Sequence, residues 1–144
     1  FAYNLTASLL AFPFGRLSDR LGRKRLLIAG YLVFGLVYLG FGFTQSKTAL
    51  LFFFILYGLY TAMTAGVERA LIAEISPPEL KGTLLGLHST LVGVALLPAS
   101  AIFGLMWTRL GPQAAFAFGA ALALLAASLL LFFFHPVPRG RDTA

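Results

Sequence analysis

The sequence contains no cysteine, and charged residues make up only 11% of its 144 positions. The absence of cysteine excludes a disulfide framework and a thiolate metal site. A soluble domain carries about 25% charged residues, so this chain has too little charge to cover a water-facing surface. Hydrophobic residues reach 59% and occur in long runs instead of amphipathic stripes, which argues against a soluble protein with a large apolar core.

Acidic residues are scarce as well, with five Asp and Glu against eleven Lys and Arg and a net charge of +6. A basic balance can indicate nucleic-acid binding, and four basic residues cluster within 20–25. No second basic face accompanies this cluster, and membrane proteins use such clusters to set their orientation. We therefore expect no nucleic-acid partner.

The chain also lacks the residue sets that enzymatic chemistry needs. It shows no metal-ligand cluster, no glycine-rich nucleotide loop and no Ser–His–Asp set. His88 stands alone near the end of a predicted helix, and we interpret it as a packing or interfacial residue. An integral-membrane enzyme would need such a set at one membrane face, so we expect no metal, no cofactor and no enzymatic activity.

Four long apolar runs follow residue 25, separated by short polar breaks. About 20 helical residues cross a bilayer core, and hydrocarbon cannot satisfy backbone N–H and C=O groups, so each run must be helical. The strands of a β-barrel would be shorter and would alternate polar with apolar residues. We predict an all-α membrane protein, a transmembrane helix bundle, with helices at about 26–43, 49–72, 83–108 and 113–134.

The segments around these helices are short. The apolar stretch 1–14 cannot cross a bilayer and lacks the preceding basic residues of a signal peptide, so we interpret it as the end of a helix whose beginning is missing. Residues 15–25 are predicted to form a loop, and 135–144 a charged tail. In the break after the second run, Ser76 and Glu79 have the capping-box spacing and predict a helix start.

The distribution of lysine and arginine predicts the orientation of the chain. If residues 15–25 lie in the cytoplasm, the break near residue 78 and the C-terminal tail lie there too. Basic residues then favour the cytoplasmic side, in agreement with the positive-inside rule. The cytoplasmic set is Arg16, Arg20, Arg23, Lys24, Arg25, Lys81, Arg139 and Arg141, against Lys47 and Arg109 outside.

Residues 15–25, Gly-Arg-Leu-Ser-Asp-Arg-Leu-Gly-Arg-Lys-Arg, resemble the loop signature of the major facilitator superfamily, G-x-L-x-D-R-x-G-R-[KR]-[KR]. We call them the signature stretch. Its defined positions are held by Gly15, Leu17, Asp19, Arg20, Gly22, Arg23, Lys24 and Arg25. The resemblance implies part of a twelve-helix fold with two pseudo-symmetric halves. The chain would be the C-terminal half from the end of helix 8 to helix 12, without the N-terminal half.

The resemblance also implies roles within the signature stretch. Asp19 would help to latch the cytoplasmic gate of the outward-facing state through arginine partners, with Arg20 or Arg23 nearby, and through the positive end of a neighbouring helix. Gly15 and Gly22 permit tight turning and close contact. The basic residues keep the stretch in the cytoplasm and can meet anionic lipid head groups.

Further charges lie inside a predicted membrane helix, where they are costly and tend to be functional. Glu68 and Arg69 are about two turns from its end. They either anchor the helix and bridge to the signature stretch, or take a direct part in coupling. Glu74 lies nearer the loop and is expected to be solvated or paired with Arg23 or Lys24.

Substrate-binding residues are not predicted. Polar residues near the middle of one helix can either line a substrate path or bond their own backbone: Tyr57, Tyr60, Thr61 and Thr64. Small residues at every fourth position predict two helix-packing faces, one at Gly58, Ala62, Gly66 and Ala70, and one at Ala115, Gly119, Ala123 and Ala127.

By resemblance, the function is secondary active transport of a small solute by alternating access in a cell membrane, expected to be a bacterial inner membrane. Proton coupling and efflux of drug-like or metabolite molecules are implied in the same way. The chain shows no obvious carboxylate at mid-membrane depth, so a coupling acid would lie in the missing part. The alternative is a non-transporting scaffold or receptor built on the same fold.

Overall fold

The computed structural model describes residues 1–133, which form five α-helices and no strand. The helices are α1 (Ala2–Leu21), α2 (Arg23–Phe43), α3 (Lys47–Ile75), α4 (Lys81–Leu110) and α5 (Pro112–Phe133), with a short 3₁₀ turn at Pro78–Leu80 before α4. Four of them, α2 to α5, are long and apolar enough to cross a membrane. The predicted all-α membrane bundle is therefore confirmed, and the predicted tail at 135–144 lies outside the described residues.

The predicted loop at 15–25 is wrong in extent. Helix α1 continues through most of the signature stretch to Leu21, and α2 begins at Arg23. Only Gly22 separates the two helices, with φ of +91° and ψ of +134°, a backbone conformation that favours glycine. Charged residues do not break a helix, so polarity alone does not end α1; the positive φ of Gly22 does.

The capping box predicted at Ser76 is also wrong. Ser76 ends α3, and its hydroxyl donates a hydrogen bond to the carbonyl of Ile72 in that helix. The 3₁₀ turn then intervenes, and α4 starts after Leu80 without a side-chain cap. A residue that precedes a proline is disfavoured in the helical conformation. Ser76 and Pro77 each precede a proline and are extended, with ψ of 138° and 144°, so the next helix does not begin at Ser76.

Helix α2 lies at the centre of the bundle, packed against α3 on one side and α5 on the other, while α1 packs mainly on α3. A small core at the α1–α2 turn contains Leu26, Leu27, Met63 and Val67. We call the end of the bundle that carries this core and the signature stretch the basic end. Helix α4 contacts α5 and α3 but has no buried residue within the described part of the chain.

The small-residue face predicted on α5 packs against α2. Ala115, Ala123 and Ala127 are buried, and a Cβ added to Gly119 would lie 2.6 Å from the ring of Tyr38. Small side chains thus let the two helices approach closely. In a membrane no hydrophobic driving force holds helices together, so this close packing stabilises their contact.

The face predicted on α3 is a packing face only in its first half. A Cβ added to Gly58 would lie 2.7 Å from the carbonyl oxygen of Tyr3 in α1, and Ala62 is buried. Gly66 is exposed, with no atom of another element within 4 Å of an added Cβ.

Candidate functional site

One guanidinium gathers the helix ends at the basic end of the bundle. Nη1 of Arg23 lies 3.0 Å from Oε2 of Glu74 in α3, and Nη2 lies 3.7 Å from Oδ1 of Asp19 in α1. Nη1 also donates to the carbonyl oxygen of Ala70 in α3. We call Asp19, Arg23 and Glu74 the charge cluster; it joins α1, α2 and α3.

The shape of the guanidinium group explains how a single arginine can make all of these contacts. Its planar fork carries five donors, so one side chain can reach two carboxylates and a carbonyl at once. The side chain of Arg23 is only 20% exposed, and its Nε is buried without a partner among the described residues. Asp19 is 60% exposed and Glu74 is 37% exposed, so Glu74 makes the closer and less solvated of the two ion pairs.

The other residues of the signature stretch have different surroundings. Leu17 packs against the core at the basic end. Lys24 donates from Nζ to the carbonyl oxygen of Leu131 at 2.9 Å, which ties the start of α2 to the last turn of α5. Arg20 and Arg25 are exposed and form no ion pair with a described residue. Of the two arginines expected as partners of Asp19, Arg23 therefore forms the ion pair in the structure.

One interpretation of the sequence had Glu68 bridging to the signature stretch. The structure shows no such contact among the described residues. Instead, the hydroxyl of Tyr31 in α2 donates to Oε1 of Glu68 at 2.9 Å. The neighbouring Arg69 is exposed and forms no ion pair with a described residue. Tyr31 was not singled out from the sequence, although it lies eight residues after Arg23, two turns further along α2.

A cavity of about 770 Å³ opens between α2, α4 and α5, with one side chain of α3 in its wall. Its volume is within the range of small-molecule sites. We call it the aromatic cavity, because its wall is formed mainly by rings and small residues. Phe34 is part of this wall, and its ring centroid lies 4.0 Å from that of Tyr38 and 4.8 Å from that of Tyr60. Its lining includes Tyr31, Phe34, Tyr38, Tyr60, Pro98, Ser100, Phe103, Gly104, Phe118 and Gly119.

The structure separates the polar residues of α3 into two groups. Thr61 and Thr64 donate to the carbonyls of Tyr57 and Tyr60, at 3.1 and 3.0 Å, so their hydroxyls bond their own helix. Tyr60 lines the aromatic cavity. Tyr57 packs on Tyr3 of α1 instead, with ring centroids 5.2 Å apart.

Sequence reasoning missed the α2 side of this cavity. Tyr31, Phe34 and Tyr38 follow one another at spacings of three and four residues, which places them on one face of a helix. That aromatic row was the available signal for the cavity wall.

Comparison with known proteins identifies the family. The family model of the Major Facilitator Superfamily matches residues 1–144. The chain belongs to the major facilitator superfamily. An uncharacterised MFS-type transporter of Methanocaldococcus jannaschii is 42% identical over 130 residues, which cover 90% of this chain and 32% of that relative.

Other superfamily relatives have more specific names. Multidrug resistance protein 2 of Bacillus subtilis is 30% identical over 127 residues, covering 88% of this chain and 32% of the relative. The arabinose–proton symporter of the same organism is 30% identical over 83 residues, covering 56% of this chain and 18% of the relative. The chain thus spans a third or less of the length of each of these three relatives, and no solved structure matches it.

As a superfamily member with four membrane-capable helices, the chain is part of a multi-pass membrane protein. Its charge cluster and its aromatic cavity lie in different places. The cluster holds helix ends together at the basic end, whereas the cavity lies between helices and offers room for a small molecule.

Proposed function

We propose that this superfamily member is part of a secondary active transporter that moves a small solute by alternating access. The observation that carries the proposal is the aromatic cavity, a space of about 770 Å³ between helices that can each span a membrane. A solute site between transmembrane helices is what alternating access requires, since two helical units must enclose the site and open it to either side.

Helix α4 supports the proposal that further helices complete the site. It lines the aromatic cavity, yet none of its residues is buried by the other described helices. In a longer protein of the length of the relatives, the free face of α4 would pack on the remaining helices. Rocking of the two units would then change access to the cavity.

The charge cluster suits a gate at the basic end, which we place in the cytoplasm because its lysines and arginines follow the positive-inside rule. Arg23 holds α1, α2 and α3 together, so these helix ends would move as one body. The side chain of Asp19 is 60% exposed, so its carboxylate can accept a second partner from another helix. That partner would latch the gate in the outward-facing state.

Proton coupling completes the proposal. It is supported by the resemblance in the signature stretch and by the name of one relative, an arabinose–proton symporter. A multidrug resistance protein among the relatives supports drug-like molecules as cargo. Efflux of such molecules in exchange for protons is the reaction that we propose.

Flux measurement tests the function directly. The full-length protein would be reconstituted in liposomes with an imposed pH gradient, and uptake of ethidium and of labelled arabinose would be followed. We expect gradient-driven movement of ethidium that stops when an ionophore collapses the gradient. Absence of gradient-dependent flux for both probes would refute the proposal and favour a scaffold or receptor.

A further inference from the structure

We propose that one exposed face of α1 binds an anionic phospholipid, whose phosphate lies on two arginines and whose acyl chain lies along apolar side chains. We call this face the α1 row, and it consists of Leu5, Leu9, Phe12, Arg16 and Arg20. The inference goes beyond the proposed transport function and does not depend on it. It is carried by the exposure of the row, by the position of one guanidinium and by the lack of an acidic partner for either arginine within residues 1–133.

Helix α1 presents two exposed faces beside its buried one. The buried face packs on the core at the basic end through Phe14 and Leu17. Residues three or four positions apart share a face of a helix, and by this spacing the exposed residues form two groups. The α1 row is one group, and the other is a small and polar face that consists of Asn4, Ser8, Ala11 and Gly15.

The size of the side chains indicates which of the two faces meets lipid. Helix contacts in membranes favour small residues, because these let the backbones approach closely, and the contact between α2 and α5 follows this rule with Ala115 and Ala123. The small and polar face of α1 therefore suits a further helix. In the α1 row, Leu9 is 67% exposed and Phe12 is 69% exposed. Side chains of this size and apolar character suit the acyl chain of a lipid.

The guanidinium of Arg16 lies on the apolar part of the row. Its Cζ is 4.7 Å from the centroid of the Phe12 ring, one turn back along α1 and away from the helix end at Gly22. The face of the ring attracts the positive charge, and this contact does not use the N–H donors of the guanidinium. These donors therefore remain available for phosphate oxygens, which arginine commonly binds through two parallel hydrogen bonds.

Both arginines of the row lack an acidic partner in the described part of the chain. Arg20 lies about one turn beyond Arg16 on the same face, and both are exposed and form no ion pair with a described residue. An unpaired charge beside membrane hydrocarbon is costly. The phosphate of an anionic phospholipid would pair with these charges, since such lipids attract basic residues at the membrane surface.

Two other occupants would give different results. Inorganic phosphate would contact the two arginines alone and would gain nothing from Leu9 and Phe12. A further helix of the full-length protein would cover the row and exclude lipid from it. Binding that depends on the charge of the lipid, on Arg16 and on Phe12 together therefore identifies the phospholipid.

Competition between two lipids provides the experiment. The full-length protein in detergent would receive equal amounts of phosphatidylglycerol and phosphatidylcholine with identical acyl chains, and native mass spectrometry would count the bound lipid. We expect phosphatidylglycerol to be retained at least roughly fivefold more strongly, because one basic residue near the membrane surface contributes about this factor. Millimolar inorganic phosphate should not displace it. Equal retention of the two lipids, or displacement by inorganic phosphate, would overturn the inference.

Arg16→Gln tests the charge of the row. We expect roughly fivefold weaker binding of phosphatidylglycerol, in a protein that folds normally because Arg16 is exposed. Lys81→Gln is the matched control, since it removes one exposed positive charge at the start of α4, and α4 does not contact α1 in the described part of the chain. This control should bind like the wild type. Equal losses in the two variants would reduce the effect to net charge and overturn the site on α1.

Phe12→Leu tests the contact between ring and guanidinium. Leucine keeps an apolar surface but offers no ring to Arg16, so we expect roughly twofold to fivefold weaker binding of phosphatidylglycerol. Phe43→Leu is the matched control, because Phe43 is 70% exposed at the end of α2 opposite to the basic end, and it should bind normally. Undiminished binding in either Phe12→Leu or Arg16→Gln would overturn the inference.

These measurements need no solute flux, so lipid binding and transport are tested separately. A protein that transports but shows no preference between the two lipids would overturn this inference alone. A protein that retains phosphatidylglycerol through Arg16 and Phe12 without any gradient-driven flux would support the lipid site and overturn the transport proposal alone.

Discussion

The guanidinium of Arg23 lies 3.0 Å from the carboxylate of Glu74, so the first residue of α2 is joined to the last turn of α3. The same guanidinium contacts Asp19 across the turn at Gly22. Because one cation serves two acids and the carbonyl of Ala70, three helix ends depend on one side chain. Its two ion pairs differ in distance and exposure, and this difference can be measured.

A double-mutant cycle should rank the two ion pairs. We expect the Arg23–Glu74 coupling to be about 1 kcal/mol, near the upper end for partly exposed pairs, and the Arg23–Asp19 coupling to be smaller. The reason is that Asp19 is more exposed and lies further from the guanidinium. Thermal unfolding of the full-length protein in detergent would be measured for Arg23→Gln, Glu74→Gln, Asp19→Asn and the two doubles.

Glu79→Gln provides the baseline for this cycle, since Glu79 is exposed and forms no ion pair with a described residue. A stronger coupling at Asp19 than at Glu74, or none at Glu74, would contradict the geometry of the charge cluster.

Asp19→Asn should impair transport and leave membrane insertion intact. The substitution preserves size but removes the charge that would latch the gate, whereas Asp19 is too exposed to matter much for folding. Initial uptake rates in vesicles, normalised to the amount of inserted protein, measure the effect. Arg20→Gln is the control from the same turn, because Arg20 forms no ion pair with a described residue. Wild-type uptake by Asp19→Asn would refute the latch role.

Two glycines of α3 should respond oppositely to alanine. In Gly58→Ala the new methyl would meet the backbone oxygen of Tyr3 at 2.7 Å, so α1 and α3 must separate, at a cost of about 1–3 kcal/mol. Gly66→Ala meets no atom and should be neutral or stabilising by up to about 1 kcal/mol. Melting temperatures of the purified variants compare the two. A Gly58→Ala variant as stable as Gly66→Ala would contradict the α1–α3 packing.

The membrane helices were predictable because length and apolar character are local properties of the chain. The turn at Gly22 was less predictable from the sequence. The charges of the signature stretch suggested a loop, but charge does not end a helix, and only the positive φ of Gly22 separates α1 from α2. At Ser76 the residue types and their spacing matched a capping box, but the predicted helix start was wrong. The hydroxyl of Ser76 donates its hydrogen bond to the preceding helix instead.

The contacts between helices were the least predictable part. The Tyr31–Glu68 hydrogen bond and the aromatic cavity depend on the lateral arrangement and rotation of α2, α3, α4 and α5. Sequence periodicity shows which residues share a face of one helix, but not which neighbour that face meets. The row of Tyr31, Phe34 and Tyr38 could therefore have been recognised as one face, and its partners could not.

The orientation of the bundle can be tested by chemical labelling, since this chain has no cysteine of its own. Glu79 and Gln113 are both exposed and lie at opposite ends of α4. Glu79 is in the 3₁₀ turn before α4, and Gln113 is in the first turn of α5, just after α4 ends. We expect Glu79→Cys to react with a membrane-impermeant maleimide only after the cytoplasmic face is opened, because the lysines and arginines favour that side. Gln113→Cys should react in intact cells, with any cysteine in the rest of the protein replaced first. The reverse pattern would invert the topology and move the charge cluster to the outer surface.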